Sequence, residues 1–257
     1  MDARAKRCFV FDLDGTVYLG DRPIQPTIDF IKRNLASRDI YFLSNNTSRN
    51  LADYVAKLKG FGLDVSIGQI LSPLVPLVDF LTAEGIDRIY PVGNASFRSY
   101  LRERMPDLGF TSGLDCRAVV LAYDTELTYE KLETSCLLLQ RPEVRFLVTH
   151  PDRVCPSPRG PLPDVGSFLK LYEEATGRLP ERVFGKPNAA ILAPLLRRFG
   201  RAAMVMVGDR LSTDMKLAEN AGIDFILVLS GEAKREDLVE HAFQPSLVLA
   251  DLGAFVE

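Results

Sequence analysis

The chain has 257 residues, enough for one large domain or two smaller ones, and its 47% hydrophobic and 25% charged residues are ordinary for a globular protein. A formal net charge of −3 gives no electrostatic footprint for nucleic acid or an anionic membrane, and no apolar run approaches the roughly 18 residues that cross a bilayer. Four cysteines without a CxxC pair predict reduced thiols, and no signal-peptide core follows the charged N-terminus. We therefore expect a cytoplasmic protein that binds neither nucleic acid nor membrane.

Strand-like apolar runs alternate with helical patterns along the chain. The strand-like runs cover, in chain order, residues 8–14, 40–46, 88–93, 118–124, 145–150, 202–210 and 224–231. Between them, the spacing of apolar residues predicts helices over residues 26–38, 48–62, 73–85, 95–104, 128–139, 167–177, 188–200 and 211–222. This alternation predicts an α/β fold with mostly parallel sheets, in which ligands bind at the carboxyl ends of the strands.

Acidic side chains follow two of these strand-like runs. Asp12 ends the first run and Asp14 lies two residues on, so both can face one crevice, and Asp209 follows "MVMVG". Carboxylates that lie so close together repel one another unless a cation lies between them or one of them is protonated. Mg²⁺ suits such a site. Asp214 can either cap the next helix or orient a ligand or bound water without touching the ion. The alternative for Asp12 and Asp14 is an ordinary Asx turn.

Two further segments offer partners for an anion. "LSNNTS" places Ser44, Asn45 and Asn46 just before a predicted helix, and "VFGKPN" places Lys186 before another. Helix N-termini attract anions, although Ser and Asn also serve as plain caps and a lone lysine is usually solvated. Taken together, the four segments predict a phosphoryl-transfer site: carboxylates hold Mg²⁺, the hydroxyl, amides and ammonium hold phosphate oxygens, and one Asp is the nucleophile.

The order of these segments resembles a known superfamily. "DLDGT", "SNN", "GKP" and "GDRLSTD" are similar to the four signature motifs of the haloacid dehalogenase-like hydrolases. That resemblance implies a Rossmann-like parallel-sheet core with an inserted α/β cap of the C2 type. The insertion is similar to the type IIA cap of NagD-type and 4-nitrophenylphosphatase-like enzymes. It predicts a core over residues 1–80 and 183–257 and a cap over residues 81–182.

The resemblance also implies roles for the site residues. Asp12 becomes the nucleophile that forms an aspartyl-phosphate, and Asp14 protonates the leaving oxygen and then activates water. Asp12, the backbone carbonyl of Asp14 and Asp209 are expected to hold Mg²⁺, with Asp214 behind them. The phosphoryl oxygens are expected to contact Ser44, Asn45, Asn46 and Lys186. The implied function is a Mg²⁺-dependent phosphatase acting on a small phosphate monoester of a sugar, polyol or nucleotide.

The cap is expected to close over the site and to set specificity. Its proline-rich loop carries His150, Asp152 and Arg153, our candidates for the specificity surface, although each can equally be a solvated or simply buried side chain. Similar proteins usually have Asn where His150 stands and Gly where Asp164 stands. Caps of this type often pair, so a homodimer through the cap is a further expectation.

Other functions fit parts of the pattern. A phosphomutase or phosphotransferase of the same superfamily would use Asp12 but return the phosphate to substrate. A dehalogenase would not need Asp14, because its leaving group is halide. From a different class, a phospho-acceptor signalling module also places acids, a hydroxyl and a lysine around a parallel sheet, but such modules are about half this length. A binding protein that lost catalysis would not need all of these residues.

Overall fold

The computed structural model describes residues 6–157 and 159–255, which form two compact units. The first unit comprises residues 6–44, 51–71 and 186–255, and the second comprises residues 45–50 and 72–185. The second unit begins nine residues before the predicted cap of residues 81–182, ends three residues after it and also includes residues 45–50. The division into core and cap domains stays a prediction. In the part of the chain that the structure describes, no helix has the length and apolar character needed to cross a bilayer.

The first half of the chain begins with three strands and then alternates. Its elements are, in order, β1 (Cys8–Asp12), β2 (Tyr18–Leu19), β3 (Arg22–Pro23), α1 (Gln25–Asn34), β4 (Asp39–Leu43), α2 (Leu51–Gly60), β5 (Ile70–Leu71), α3 (Leu74–Ala83), β6 (Arg88–Val92), α4 (Ala95–Arg104), β7 (Gly109–Phe110) and β8 (Ala118–Leu121).

The second half continues the alternation. Its elements are, in order, α5 (Tyr129–Leu139), β9 (Arg145–Val148), β10 (Val154–Cys155), β11 (Leu162–Pro163), α6 (Val165–Thr176), β12 (Arg182–Val183), α7 (Ala193–Phe199), β13 (Met204–Gly208), α8 (Lys216–Ala221), β14 (Asp224–Val228) and β15 (Leu247–Leu249).

The first unit is built on a six-stranded parallel sheet with the order β15-β14-β13-β1-β4-β5. All five residues of β1 are buried, as expected for a strand with helices on both faces of its sheet. On one face Phe9 and Phe11 pack against Phe30 of α1. On the other face Val10 and Met206 lie in a cluster with side chains of α8. The predicted parallel-sheet core is confirmed.

The register of this sheet aligns the strand ends that matter for the site. Asp12 of β1 pairs with Leu43 of β4, and Phe11 pairs with Val207 of β13. Ser44, Asp12 and Asp209 therefore leave three neighbouring strands at the same edge of the sheet. A parallel sheet with this register is what brings polar residues far apart in sequence to one place.

The second unit has its own sheet and core. Its five strands run parallel in the order β12-β9-β8-β6-β7, and β10 and β11 form a separate antiparallel pair. The core includes Val119, Leu121, Phe146, Val148 and Tyr172 from β8, β9 and α6. The predicted proline-rich loop spans this antiparallel pair, and its residue Pro158 lies outside the described residues.

Two predicted helices are less regular than their sequence patterns indicate. Residues 188–200 split into a 3₁₀ segment, Ala189–Leu192, followed by α7, whose first turn contains a proline that cannot donate a helical hydrogen bond. Residues 211–222 begin as a π-helical turn, Leu211–Met215, before α8. π-helical turns are rare and are enriched at functional sites, and this one contains Asp214.

Removing the Phe30 ring should destabilise the first unit. Its centroid lies 5.6 Å from the Phe9 ring and 5.2 Å from the Phe255 ring, and the residue is 1% exposed. We expect Phe30→Ala to lower the free energy of unfolding by about 3–5 kcal/mol, measured by urea denaturation. Arg33→Ala on the exposed face of the same helix is the control and should change it by less than about 0.5 kcal/mol. Equal effects of the two substitutions would contradict this account of the core.

Candidate active site

Three buried carboxylates meet at the carboxyl edge of the first unit's sheet. Asp12 ends β1, Asp209 follows β13, and Asp214 lies in the π-helical turn; they are 6%, 2% and 0% exposed. One oxygen from each carboxylate lies within 4.8 Å of the corresponding oxygens of the other two. We call these three residues the carboxylate cluster. Buried carboxylates this close are costly unless positive charge lies among them.

Lys186 supplies one positive charge to the carboxylate cluster. Its ammonium donates hydrogen bonds to Oδ1 of Asp12 and, at 2.7 Å, to Oδ1 of Asp214, and the residue is 2% exposed. The structure thus places Lys186 against Asp12 and Asp214, and its predicted contact with phosphoryl oxygens stays a prediction. Three carboxylates against one ammonium leave a negative balance in a buried place, which a divalent cation would neutralise.

Hydrogen bonds fix the orientation of two of the carboxylates. The hydroxyl of Thr16 donates to Oδ1 of Asp209 at 3.2 Å, and the backbone amide of Glu232 donates to its Oδ2 at 2.8 Å. The backbone amide of Arg210 donates to Oδ2 of Asp214 at 3.1 Å. The sequence analysis did not predict a role for Thr16, although this residue lies inside "DLDGT". The available signal was a hydroxyl residue directly after the turn glycine.

Three glycines make room for these carboxylates. A Cβ atom at Gly15 would lie 2.3 Å from Oδ2 of Asp209, and one at Gly231 would lie 1.9 Å from the same oxygen. A Cβ atom at Gly208 would lie 2.4 Å from Oδ2 of Asp214. Gly15 also has φ of +98°, in the region that favours glycine. The backbone at Gly15 and Gly231 thus packs directly against the Asp209 side chain, and a larger residue at either position would displace that side chain.

Burial and the neighbouring carboxylates raise the pKa values of Asp12 and Asp209. Burial raises the pKa of Asp12 well above its usual range; the ammonium of Lys186 opposes this, while Asp214 and Asp209 add to it. Burial and, second, the charge of Asp214 raise the pKa of Asp209 to about 6, although the hydrogen bond from the Glu232 amide lowers it. These groups are therefore short of positive charge. Because every ligand atom is a carboxylate oxygen, the set fits a hard divalent cation such as Mg²⁺.

Two other predicted residues lie in the same unit. Ser44 follows β4, the neighbour of β1, and its buried hydroxyl donates to the Tyr54 hydroxyl at 3.2 Å. Asp14 is half-buried two residues beyond Asp12, in a turn where the amide of Gly15 donates to the carbonyl of Tyr18. The first unit thus holds six of the predicted residues, namely Asp12, Asp14, Ser44, Lys186, Asp209 and Asp214.

The remaining predicted residues belong to the second unit. The Asn45 amide donates to Oδ1 of Asp152 at 3.0 Å, and Oδ1 of Asn46 accepts from the backbone amide of Ser48 at 2.9 Å, which is local turn bonding. His150 is fully buried, whereas Arg153 is exposed. The functional roles predicted for these residues stay predictions.

Comparisons with known proteins place the chain in a family. A family model described as "Haloacid dehalogenase-like hydrolase" matches residues 9–105, and one for HAD-hydrolase-like proteins matches residues 183–255. The 5'-nucleotidase YutF of Bacillus subtilis is 30% identical over 253 residues, 96% of each chain. The chain belongs to the haloacid dehalogenase-like hydrolases.

Solved structures agree with this assignment. The crystal structure of 4-nitrophenylphosphatase from Thermotoga maritima matches this hydrolase with a TM-score of 0.88 and 36% identity, covering 97% of this chain and 95% of that one. Glycerol phosphate phosphatase from Mycobacterium tuberculosis, in complex with calcium, matches with a TM-score of 0.85 and 26% identity, covering 97% and 74%. The predicted subclass, NagD-type and 4-nitrophenylphosphatase-like, is confirmed, and so is the predicted enzyme class: the chain is a phosphoric monoester hydrolase.

Displacing Asp209 should weaken the binding of a divalent cation to this hydrolase. In Gly231→Ala the new methyl group meets the Asp209 side chain at Oδ2, Cγ and Cβ, so the whole side chain must move. We expect at least about a tenfold loss in divalent-cation affinity, measured by calorimetric titration. Gly60→Ala is the control, since a Cβ atom there meets nothing within 4 Å. Unchanged affinity in Gly231→Ala would show that Asp209 does not need its present position.

The stability of the metal-free hydrolase should depend on pH through Asp209. Because its folded-state pKa of about 6 lies above the ordinary value of 3.8, the folded protein holds the proton more tightly than the unfolded chain. The resulting stabilisation is complete below pH 3.8 and is lost as pH rises through about 6. Asp209→Asn removes the charge, so it should stabilise the metal-free protein more at pH 7.5 than at pH 5, in urea unfolding with chelator present. A larger gain at pH 5 would contradict this sign.

Proposed function

We propose that this hydrolase is a Mg²⁺-dependent phosphatase that cleaves a small phosphate monoester of a sugar, polyol or nucleotide through an aspartyl-phosphate on Asp12. One observation carries the proposal. Three buried carboxylates meet at the carboxyl edge of a parallel sheet, and the buried ammonium of Lys186 contacts two of them. This arrangement leaves negative charge that Mg²⁺ would neutralise and a carboxylate next to the place where a phosphoryl group would bind.

The Mg²⁺ site would use side chains of the first unit. Asp12 and Asp209 supply carboxylate oxygens, and the backbone carbonyl of Asp14 supplies a third ligand. Asp214 offers an oxygen within the same 4.8 Å group, but its two oxygens already accept from Lys186 and from the Arg210 amide. We therefore assign Asp214 to holding Lys186 in place. When bound, Mg²⁺ supplies positive charge that offsets the repulsion between Asp12 and the phosphate.

Asp12 would act as the nucleophile in the first step. An oxygen of its ionised carboxylate attacks phosphorus, the bond from phosphorus to the alcohol oxygen breaks, and the aspartyl-phosphate forms. Burial raises the pKa of Asp12, so ionisation depends on the ammonium of Lys186 and on the cation. Lys186, held by its hydrogen bond to Asp214, would also offset the charge that develops on the phosphoryl oxygens.

Asp14 would transfer the protons in both steps. In the first step it gives a proton to the departing alcohol oxygen. In the second step it accepts a proton from the water that attacks phosphorus, so the acyl-phosphate bond breaks, inorganic phosphate leaves and Asp12 is again a carboxylate. Its half-buried position two residues beyond Asp12 suits a group that must reach a bound substrate. The hydroxyl of Ser44, at the end of the neighbouring strand, would donate to a phosphoryl oxygen.

The substrate class is proposed from the shared chemistry of the similar proteins. Their names cover a 5'-nucleotidase, a 4-nitrophenylphosphatase and a glycerol phosphate phosphatase, which have in common only the phosphate monoester. We therefore keep sugar, polyol and nucleotide phosphates together. Asn45 and Asn46 as further phosphate ligands, the loop residues His150, Asp152 and Arg153 as specificity residues, and a homodimer through the cap all stay predictions.

A phosphate-release screen tests the activity and its metal dependence. The wild-type protein, with Mg²⁺ and then with excess chelator, is offered a panel of phosphorylated sugars, polyols and nucleotides. We expect release with Mg²⁺ only, and Asp12→Asn should lower turnover by at least about 10³-fold. Asp64→Asn, at an exposed position of the same unit, is the control and should keep full activity. Substantial release by Asp12→Asn would place the nucleophile elsewhere.

Trapping the intermediate tests the mechanism separately. In Asp14→Asn no carboxylate activates the water, so a substrate with a good leaving group such as 4-nitrophenyl phosphate should phosphorylate Asp12 faster than water releases the phosphate. Intact-mass spectrometry should then show one added phosphoryl group on Asp14→Asn and none on the Asp12→Asn, Asp14→Asn double variant. If the single variant hydrolyses substrate at the wild-type rate, Asp14 is not the group that activates water.

A further inference from the structure

The second unit contains a largely buried polar cluster that takes no part in the proposed chemical steps. It consists of His150, which follows β9, Asp152 in the next loop, and Asp164 directly before α6. One ring nitrogen of His150 and one carboxylate oxygen from each aspartate lie within 4.8 Å of one another. We call these residues the histidine cluster. All three residues belong to the second unit, whereas the carboxylate cluster belongs to the first.

His150 itself points to a missing ligand. The residue is 0% exposed, and neither Nδ1 nor Nε2 has a hydrogen-bond partner among residues 6–157 and 159–255. Nδ1 lies 3.9 Å from Oδ1 of Asp152, and Nε2 lies 3.6 Å from Oδ1 of Asp164. Charge-assisted hydrogen bonds between nitrogen and carboxylate oxygen are about 2.7–2.9 Å long, so both approaches are too wide to be such bonds. A buried imidazole with two unsatisfied nitrogens is unfavourable, because each lost water contact goes uncompensated.

Hydrogen bonds orient the two carboxylates. Oδ1 of Asp164 accepts from the amide of Val165 at 2.7 Å, and Oδ1 of Asp152 accepts from the Asn45 amide at 3.0 Å. Metal-binding carboxylates are commonly oriented in this way by further hydrogen bonds.

The backbone also fixes the distance between the two carboxylates. The amide of Gly166 donates to the carbonyl of Asp152 at 2.7 Å, and the amide of Asp164 donates to the carbonyl of Arg153 at 3.0 Å. A Cβ atom at Gly166 would lie 2.2 Å from the carbonyl oxygen of Pro151, so only glycine allows the loop to pack this closely on α6. The loop and the start of α6 therefore form one preorganised frame around the imidazole.

We propose that His150, Asp152 and Asp164 bind a Zn²⁺ ion. Zinc bonds to nitrogen and oxygen are about 2.0–2.2 Å long, so two atoms bound to one ion lie roughly 3.3 Å apart at the tetrahedral angle and at most roughly 4.2 Å apart. The 3.6 Å separation of Nε2 from Oδ1 of Asp164 falls in that interval, so Nε2 is the nitrogen that would bind the ion. One ligand atom from each of the three residues lies within 4.8 Å of the other two. The ring nitrogen that does not bind the ion keeps its proton and faces a carboxylate, an arrangement common behind zinc-bound histidines.

The donor set selects zinc over magnesium. Mg²⁺ prefers oxygen ligands and keeps several waters, whereas imidazole nitrogen suits Zn²⁺ and related transition metals. With a neutral imidazole, one Zn²⁺ also balances the two aspartate charges, which favours burial of the whole cluster. The ion would join the loop after β9 to the start of α6 and would therefore stabilise the second unit. Because His150 is inaccessible, the ion would enter during folding.

Zinc uptake on refolding tests this proposal without reference to activity. The starting protein is Asp209→Asn, which disables the carboxylate cluster as a competing metal site. It is unfolded in denaturant with chelator, refolded with and without Zn²⁺, desalted and analysed for bound zinc. We expect one ion per chain and a higher midpoint of thermal unfolding in the zinc-refolded sample, since a ligand of the folded state stabilises it.

Three double variants, each combining Asp209→Asn with one further substitution, test which residues bind the zinc. His150→Asn should lower the bound zinc at least about tenfold, and so should Asp164→Asn, which keeps an N-cap residue for α6 and so protects the fold. His241→Asn, at an exposed histidine, is the matched control and should retain the ion. The proposal is overturned if Asp209→Asn takes up no zinc, or if His150→Asn and Asp164→Asn bind as much zinc as the control.

Discussion

The structure of the site depends on one imbalance of charge. Asp12, Asp209 and Asp214 are buried together, and Lys186 is the ammonium that contacts two of them. Burial raises the pKa of Asp12 and of Asp209, and the neighbouring carboxylates raise both pKa values further. A protein does not keep such an arrangement for stability alone, because buried charges are less favourable than packed apolar groups. The arrangement is instead suited to a divalent cation and to the transfer of a phosphoryl group.

The fold makes this crowding possible without distorting the chain. In a parallel sheet the carboxyl ends of neighbouring strands lie side by side, so residues separated by almost two hundred positions in sequence meet. The close approach of the backbone then depends on Gly15, Gly208 and Gly231, which have no side chain to separate the carboxylates from the main chain. Thr16 and the Glu232 amide hold Asp209 in that position.

The sequence predicted the site residues that belong to short local motifs. Asp12 and Asp14 follow a buried apolar run, and their position at the end of a parallel strand follows from that run alone. The contacts of Gly231 and Glu232 with Asp209 could not be predicted, because they depend on how the loop after β14 returns over β13. The π-helical turn that carries Asp214 was likewise invisible, since its apolar spacing is that of an ordinary helix.

The two polar clusters differ in their donor atoms and in the structural elements that carry them. The carboxylate cluster offers only oxygen, follows strands of a parallel sheet, and contains an ammonium. The histidine cluster offers one nitrogen and two oxygens and is framed by a loop and a helix start. Its sequence signal was Asp164, read as a departure from similar proteins, and the structure shows that this residue faces His150. The ring nitrogens of His150, which have no hydrogen-bond partner among the described residues, are better explained by a bound ion than by a purely structural role, because an unsatisfied buried imidazole is unfavourable.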